Sequence, residues 1–421
     1  MKYLVRRLVL CPIVAASGVL TAVVHAQDPV NDSISRRVYD IPEVTVKARR
    51  TPPSVKAASP LQVMNKAEME RMGISEVADA VRHFSGVSVK DYGGIGGLKT
   101  ISVRSLGAQH TGVIYDGVSV SDCQSGQIDI SRFSLTNISQ LTLTIGQSDD
   151  IYQSARAFAS AGVLHIQTDR PDFSEQNWHI NTTLKAGSFG LANPSVLYSQ
   201  QLSQRTSISL YGDYLRADGN YPFKLWNGNQ LIDSKRNNSD IQTYRAEATL
   251  YTSFTPKQDL QVKAYLFDSE RGLPGGVIYD NPYAAERLSD KNYFGQFRYE
   301  NRFSEKFKLQ ALGKFNYSWN RDYNDEASGI TDDRYRQTES YLSATLWTEP
   351  LKGLSFSLAQ DFAYNYLHTT LDKCQFPERF TYLTAFAARY EHNRFSVTAS
   401  LLNTYITEKV RIGIAADDRK R

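Results

Sequence analysis

Val77-Ala78-Asp79-Ala80-Val81-Arg82-His83-Phe84-Ser85-Gly86-Val87-Ser88-Val89 opens the stretch on which the reading of this chain turns. Val77, Ala80, Val81 and Phe84 fall at i, i+3, i+4 and i+7, which makes one apolar face of a short helix. Ser85-Gly86 ends that helix, and Val87-Ser88-Val89 begins a strand. Beyond the glycine-rich Asp91-Tyr92-Gly93-Gly94-Ile95-Gly96-Gly97 comes a second alternating segment, Thr100-Ile101-Ser102-Val103-Arg104. A third, Thr111-Gly112-Val113-Ile114-Tyr115, enters Asp116-Gly117 and leaves through Val118-Ser119-Val120. Asp-Gly between two such runs predicts a hairpin. Further strands are expected over Ile138–Ile145 and Gly162–Thr168, completing a small α+β domain.

From Trp178 onward the pattern becomes one of long alternating strands. Tyr244, Ala246, Ala248, Leu250 and Phe254 oppose Arg245, Glu247, Thr249 and Ser253. Phe307 to Trp319 repeats the pattern, with Lys308, Gln310, Lys314, Asn316 and Ser318 on the wet face. Short turns at residues 203–205, 255–257, 304–306, 350–353 and 392–393 alternate with long connections near 216–240, 268–292, 320–335 and 368–380. Alternating strands of roughly 9–11 residues, short turns at one end and long loops at the other describe an antiparallel transmembrane β-barrel of about eleven strands. Mean hydropathy is −0.41 despite 25 Tyr and 19 Phe, as such strands require.

The ordered run Val77-Ala78-Asp79-Ala80-Val81, Gly86-Val87-Ser88-Val89, Ile101-Ser102-Val103-Arg104 and Ile114-Tyr115-Asp116-Gly117-Val118 resembles the plug domain of TonB-dependent outer-membrane receptors. It continues through Ile128-Asp129-Ile130-Ser131-Arg132-Phe133 to Ala161-Gly162-Val163-Leu164-His165-Ile166. Two departures stand out: Ile145-Gly146-Gln147 where the family has Arg-Gly-Pro, and Tyr152-Gln153 where it has Tyr-Gly. The resemblance implies a plug seated inside a barrel in the outer membrane of a Gram-negative bacterium. It also implies active uptake of cobalamin or a ferric siderophore, driven by the TonB energy transducer with ExbB and ExbD. Asp91, Tyr92, Gly93 and Gly94, with Ser121, Asp122, Gln124 and Ser125, then correspond to the plug apex that touches substrate. A surface adhesin that retains a plug without transport, or a degenerate receptor fragment, remains the alternative.

The implied organisation runs as residues 1–26 signal peptide, 27–60 flexible lead-in, 61–170 plug and 171–421 partial barrel. Lys2, Arg6 and Arg7 precede the apolar run Leu8 to Val24, and Val24-His25-Ala26 suits cleavage before Gln27. Proline-rich residues 27–60 carry Ile41-Pro42-Glu43-Val44-Thr45-Val46, an extended segment suited to strand addition on a partner's sheet edge. It resembles the family's TonB box. Eleven strands are about half the family's number, and an odd count leaves two unpaired edges in lipid, which argues for a truncated receptor that does not transport alone.

Other function classes find little support. Lys+Arg 48 against Asp+Glu 44 implies no nucleic-acid partner. The seven histidines are dispersed, and no nucleophile elbow or metal-ligand spacing is present, so an enzyme, a cofactor or a metal centre is not expected. Cys123 and Cys374 read as unpaired bystanders. Asp213, Asp218, Asp233 and Asp240 surround one outer loop without matching a calcium motif. Glu270-Arg271-Gly272-Leu273-Pro274-Gly275-Gly276 resembles a turn-rich element of the family, expected to shape its loop, with lining of the mouth as the alternative. Arg104 and Arg132 are the expected ion-pair partners between plug and barrel.

Overall fold

A computed structural model describes residues 61–92, 97–122, 124–275, 283–326, 329–371, 375–393 and 395–412. The leader at 1–26, the Ile41–Val46 segment, Gly93, Gly94, Cys123 and Cys374 lie outside the described residues.

The inner domain starts with β1 (Leu61–Asn65) and α1 (Lys66–Arg71). Asn65 accepts from Glu68 N at 2.9 Å while Glu68 accepts from Asn65 N at 3.1 Å, a capping box that fixes the start of α1. Then follow α2 (Val77–Arg82), β2 (Val87–Asp91), β3 (Lys99–Val103), β4 (Thr111–Tyr115), β5 (Val118–Val120), β6 (Ile138–Ile145), α3 (Ala155–Phe158) and β7 (Gly162–Thr168). Every element expected from Val77 to Thr168 is present. β1, α1 and α3 are additions, short pieces whose stability comes from neighbours rather than from their own periodicity. The main sheet is ordered β1-β6-β7-β4-β5, with β4 and β7 parallel, and β2 pairs with β3 in a separate hairpin. Asp116 and Gly117 take φ of 48° and 87°, the left-handed pair that a two-residue type I′ turn needs. Val77, Ala80, Val81 and Phe84 are buried among Ile101, Val113, Ile138, Leu141 and Leu164.

Around this domain runs one antiparallel sheet of eleven strands. It begins with β8 (Trp178–Ala186), β9 (Ala192–Ser203) and β10 (Thr206–Ala217). A separate hairpin, β11 (Pro222–Asn227) with β12 (Gln230–Lys235), then intervenes. The sheet resumes with β13 (Ile241–Thr255), β14 (Gln258–Gly272), β15 (Arg287–Ser304), β16 (Phe307–Glu326), β17 (Gly329–Leu351), β18 (Leu354–Thr369), β19 (Gln375–His392) and β20 (Phe395–Ile412). Each strand pairs with the next, and β8 and β20 are the edges. Two expected loops are largely strand. β16 and β17 stay paired to Glu326↔Gly329, so 320–335 is a projecting hairpin, and β19 begins at Gln375. At 20 and 23 residues, β16 and β17 are about twice the roughly 9–11 residues that a bilayer-spanning strand needs.

The two faces of this sheet are inverted relative to a soluble protein. On β13 the exposed positions include Tyr244, at 53 %, whereas Arg245 and Glu247 are buried. The expectation that Gln310, Lys314, Asn316 and Ser318 face water is corrected. All four are buried, because the sheet curves its polar face around the inner domain. The apolar face points outward: Leu266, Phe315, Leu342 and Phe386 are all exposed. Among the described residues no helix is long and apolar enough to cross a membrane. An outward apolar band on alternating strands is what a lipid-facing sheet presents.

Candidate functional site

The polar face of the sheet meets the inner domain through three groups of directed bonds. In the first, Lys263 of β14 reaches Asp116 Oδ2 and Glu247 Oε2, each at 2.8 Å, and its Nζ lies 4.4 Å from the Tyr115 ring centroid. Tyr115 donates to Glu247 at 2.6 Å, and Asn137 Nδ2 donates to the same carboxylate at 3.2 Å. Lys263 is 1 % exposed, so the ammonium is held in place of water by two carboxylates from opposite sides of the interface.

The second group centres on Arg132, which binds Asp290 of β15 through both Nε, at 3.2 Å, and Nη2, at 2.8 Å. This bears out one of the two expected ion-pair partners. Arg104 is different: it is exposed, takes φ of 50°, and is ion-paired to no carboxylate among the described residues. Its backbone N–H serves the turn instead, donating to Gly86 O at 2.7 Å.

The third group holds α3. Asp361 of β18 accepts from Ala155 N at 3.1 Å and from Arg156 N at 2.8 Å, capping the first turn from outside the domain. Arg156 Nη1 pairs with Glu339 Oε1 of β17 at 3.1 Å, and its guanidinium lies 4.3 Å from the Tyr341 ring centroid. Burial opposes the charge on Arg156, but Glu339 and Tyr341 outweigh it and raise its pKa. Glu339 also accepts from Ser121 Oγ at 2.5 Å and from Asn365 Nδ2 at 2.8 Å, so one carboxylate ties an apex loop and α3 to the wall.

The expected apex residues fall into two separate places. Tyr92 is 55 % exposed and lines a cleft of about 220 Å³ with Leu98, Asp240, Arg271, Leu273 and Leu288. Asp91 does not face that cleft; it is 3.2 Å from Arg82 and 3.8 Å from Lys99, within the inner domain. Asp122 shapes its own loop, accepting from Gln124 N, Ser125 N and Ser125 Oγ at 3.1, 2.7 and 3.0 Å. Gln124 is bonded at 3.1 Å by Gln337 of β17. Ser121 and Asp122 line a different cavity, of about 150 Å³, together with Gln109 and Arg156. At the end of β14, Asn238 Nδ2 donates to Leu273 O at 3.2 Å and to Glu286 O at 2.7 Å, and Arg271 and Leu273 also line the Tyr92 cleft; Gly276 lies outside the described residues.

The four aspartates near the outer loop each have a cation. Asp213 is paired with Arg245, Asp240 with Arg287, Asp233 with Lys224 and Asp218 with Arg216. Within the inner domain, burial and the nearby Arg298 hold His165 of β7 at a pKa of about 4. The residues that sequence reading did not single out are Glu247, Lys263, Glu339 and Asp361. Each is a charge on the polar face of a strand, a signal present in the sequence but indistinguishable there from a solvated position.

Residues 53–160 match the family model of the TonB-dependent Receptor Plug Domain. Among solved structures, the chain is similar to the siderophore receptor PirA from Pseudomonas aeruginosa, at 14 % identity and a TM-score of 0.60. That match covers 83 % of this chain and 57 % of the other. It is also similar to the ferric citrate transporter FecA in its unliganded form, at 13 % identity and a TM-score of 0.65, covering 84 % and 57 %. The FrpB iron transporter from Neisseria meningitidis matches at 10 % identity and a TM-score of 0.67, covering 84 % and 62 %. At these identities the likeness is one of fold, and the chain spans a little over half the length of those proteins.

Proposed function

Since residues 53–160 are a TonB-dependent receptor plug domain, set against an eleven-stranded sheet with the fold of those receptors, we propose that this chain serves energy-coupled uptake of a scarce nutrient across the outer membrane. The observation that supports this reading best is the inverted sheet: its apolar face is bare, and its charges are spent on a domain that fills the inside. Ligand meets the Tyr92 cleft and the Ser121–Ser125 loop at the outer end. Ile41–Val46 is the strand offered to TonB, backed by ExbB and ExbD, on the periplasmic side. Cobalamin or a ferric siderophore is the proposed substrate, and no chemistry is performed on it. Residues 1–26 are an export leader in this account.

β8 and β20 are not joined to one another, and unsatisfied backbone groups in lipid cost several kcal/mol each. Transport therefore requires both edges to be satisfied by further strands. The test of coupling is Val44→Pro, which removes a backbone donor and fixes φ. Ligand binding to the purified protein is expected to persist while capture of the TonB periplasmic domain is lost. Normal capture by the proline variant refutes the assignment of the segment.

A further inference from the structure

One end of the eleven-stranded sheet closes in short turns, and three of them repeat one spacing. An exposed apolar side chain is followed three residues later by a cation: Leu202 and Arg205, Phe254 and Lys257, Phe303 and Lys306. Leu351-Lys352 sets the same pair side by side in a fourth turn. Leu351 is 65 % exposed and Phe303 52 %, the latter resting beside the Phe307 ring at 5.4 Å between centroids, so much of this apolar surface stays bare.

Several cations at the other end of the same strands are neutralised. There Arg287, Lys291 and Arg321 are paired with Asp240, Asp268 and Asp332. Among the described residues, none of Arg205, Lys257, Lys306 and Lys352 is ion-paired to a carboxylate. Arg205 only donates to Phe254 O, at 3.0 Å, across the neighbouring turn. Lys235 and Lys409 toward the other end are likewise in no ion pair among the described residues, but it is at this rim that an exposed apolar anchor followed by a cation recurs from turn to turn.

That arrangement has a physical counterpart. An aromatic or aliphatic anchor sits at the acyl boundary, and a Lys or Arg next to it extends its charge to the depth of the headgroup phosphates. We propose that the turn end of the sheet binds anionic phospholipid headgroups, about one phosphodiester per turn. The proposal rests on the reading of the sheet as membrane-spanning. It adds that the rim selects lipids by charge, since a zwitterionic headgroup offers the same phosphate with its charge cancelled.

The experiment reconstitutes the full chain in bilayers of phosphatidylcholine mixed equally with phosphatidylglycerol. Lipid retained after gentle detergent extraction is counted by native mass spectrometry, at low salt. Phosphatidylglycerol is expected to be retained preferentially, on the order of fivefold per engaged position. Combined Arg205→Gln, Lys257→Gln, Lys306→Gln and Lys352→Gln, all at exposed sites, is expected to bring the two lipids to parity. Lys224→Gln with Lys235→Gln, on the β11–β12 hairpin, is expected to leave the preference intact. Equal retention by the unmodified chain overturns the proposal, as does a preference that survives the fourfold change. Protease protection of the strands is read in parallel. Protected strands without lipid preference refute this proposal alone, whereas unprotected strands refute the membrane-spanning sheet and this proposal with it.

Discussion

Lys263→Met tests how the inner domain is held. The substitution keeps the length and apolar stem of the side chain and deletes the ammonium that lies 2.8 Å from both Asp116 and Glu247. All three groups are buried, so the variant confronts two carboxylates with each other and with no cation between them. Breaking a buried ion pair in this way costs about 3–5 kcal/mol. At about 1.4 kcal/mol per decade, amides of β4 and β7 that exchange by release of the domain then do so roughly a hundred- to a few-thousandfold faster. Hydrogen exchange read by mass spectrometry on the membrane-inserted chain measures this directly. Adding Glu247→Gln removes one of the stranded charges, while Asp116 keeps Thr168 N and Oγ1, each at 2.8 Å. The double variant is therefore expected to be less perturbed than the sum of the two single ones, by about 1–3 kcal/mol. Exchange within tenfold of wild type in Lys263→Met refutes the reasoning. A double variant worse than that sum refutes it too.

Two further outcomes are expected. Asp361→Asn keeps the shape of the side chain but sets a donor amide against one of the N–H groups of Ala155 and Arg156, costing about 1–3 kcal/mol. Faster protease cleavage across 149–159, with the rest of the domain unchanged, is the readout, and unaltered cleavage contradicts the capping role. His165 supplies a pH dependence. Its folded pKa of about 4 lies below its ordinary 6.5, so the unfolded chain takes up the proton first as pH falls. Stability is then flat above pH 6.5 and declines between 6.5 and 4, by at most about 3 kcal/mol. Urea midpoints of wild type and His165→Gln are expected to diverge across that window only.

Much of this fold was legible in the residues. The i, i+3, i+4, i+7 spacing of Val77, Ala80, Val81 and Phe84 yields α2, and Asp116-Gly117 yields the β4–β5 turn, because both are local decisions of backbone and burial. The count of about eleven long strands came from alternation together with the spacing of the turns, and eleven are present. What alternation does not contain is the medium on each side. Lys314 and Ser318 look wet in sequence and are dry in the fold, since what they face is another domain and not solvent. The projecting β16–β17 hairpin was hidden for a related reason. Asp322, Asp325, Asp332 and Asp333 carry the polarity of a loop, yet ladder hydrogen bonds to a partner strand hold them extended. For the candidate site, Arg132 was recognisable, together with Arg104, as an inner-domain cation facing the sheet. Glu339 and Asp361 were not, because their partners lie about two hundred residues away in the chain.

The interface between domain and wall has a further consequence for motion. A hydrocarbon core resists parting because every newly bared surface is penalised at once. Here many of the contacts, from Ser121 on Glu339 to Tyr265 on the Arg132 carbonyl, are single hydrogen bonds whose two ends water can serve as well. Such a seam can be wetted stepwise, each bond exchanged for solvent before the next gives way. Parting these bonds one at a time bares polar wall that water can solvate, whereas the buried Lys263 and Arg156 pairs separate only at a larger cost.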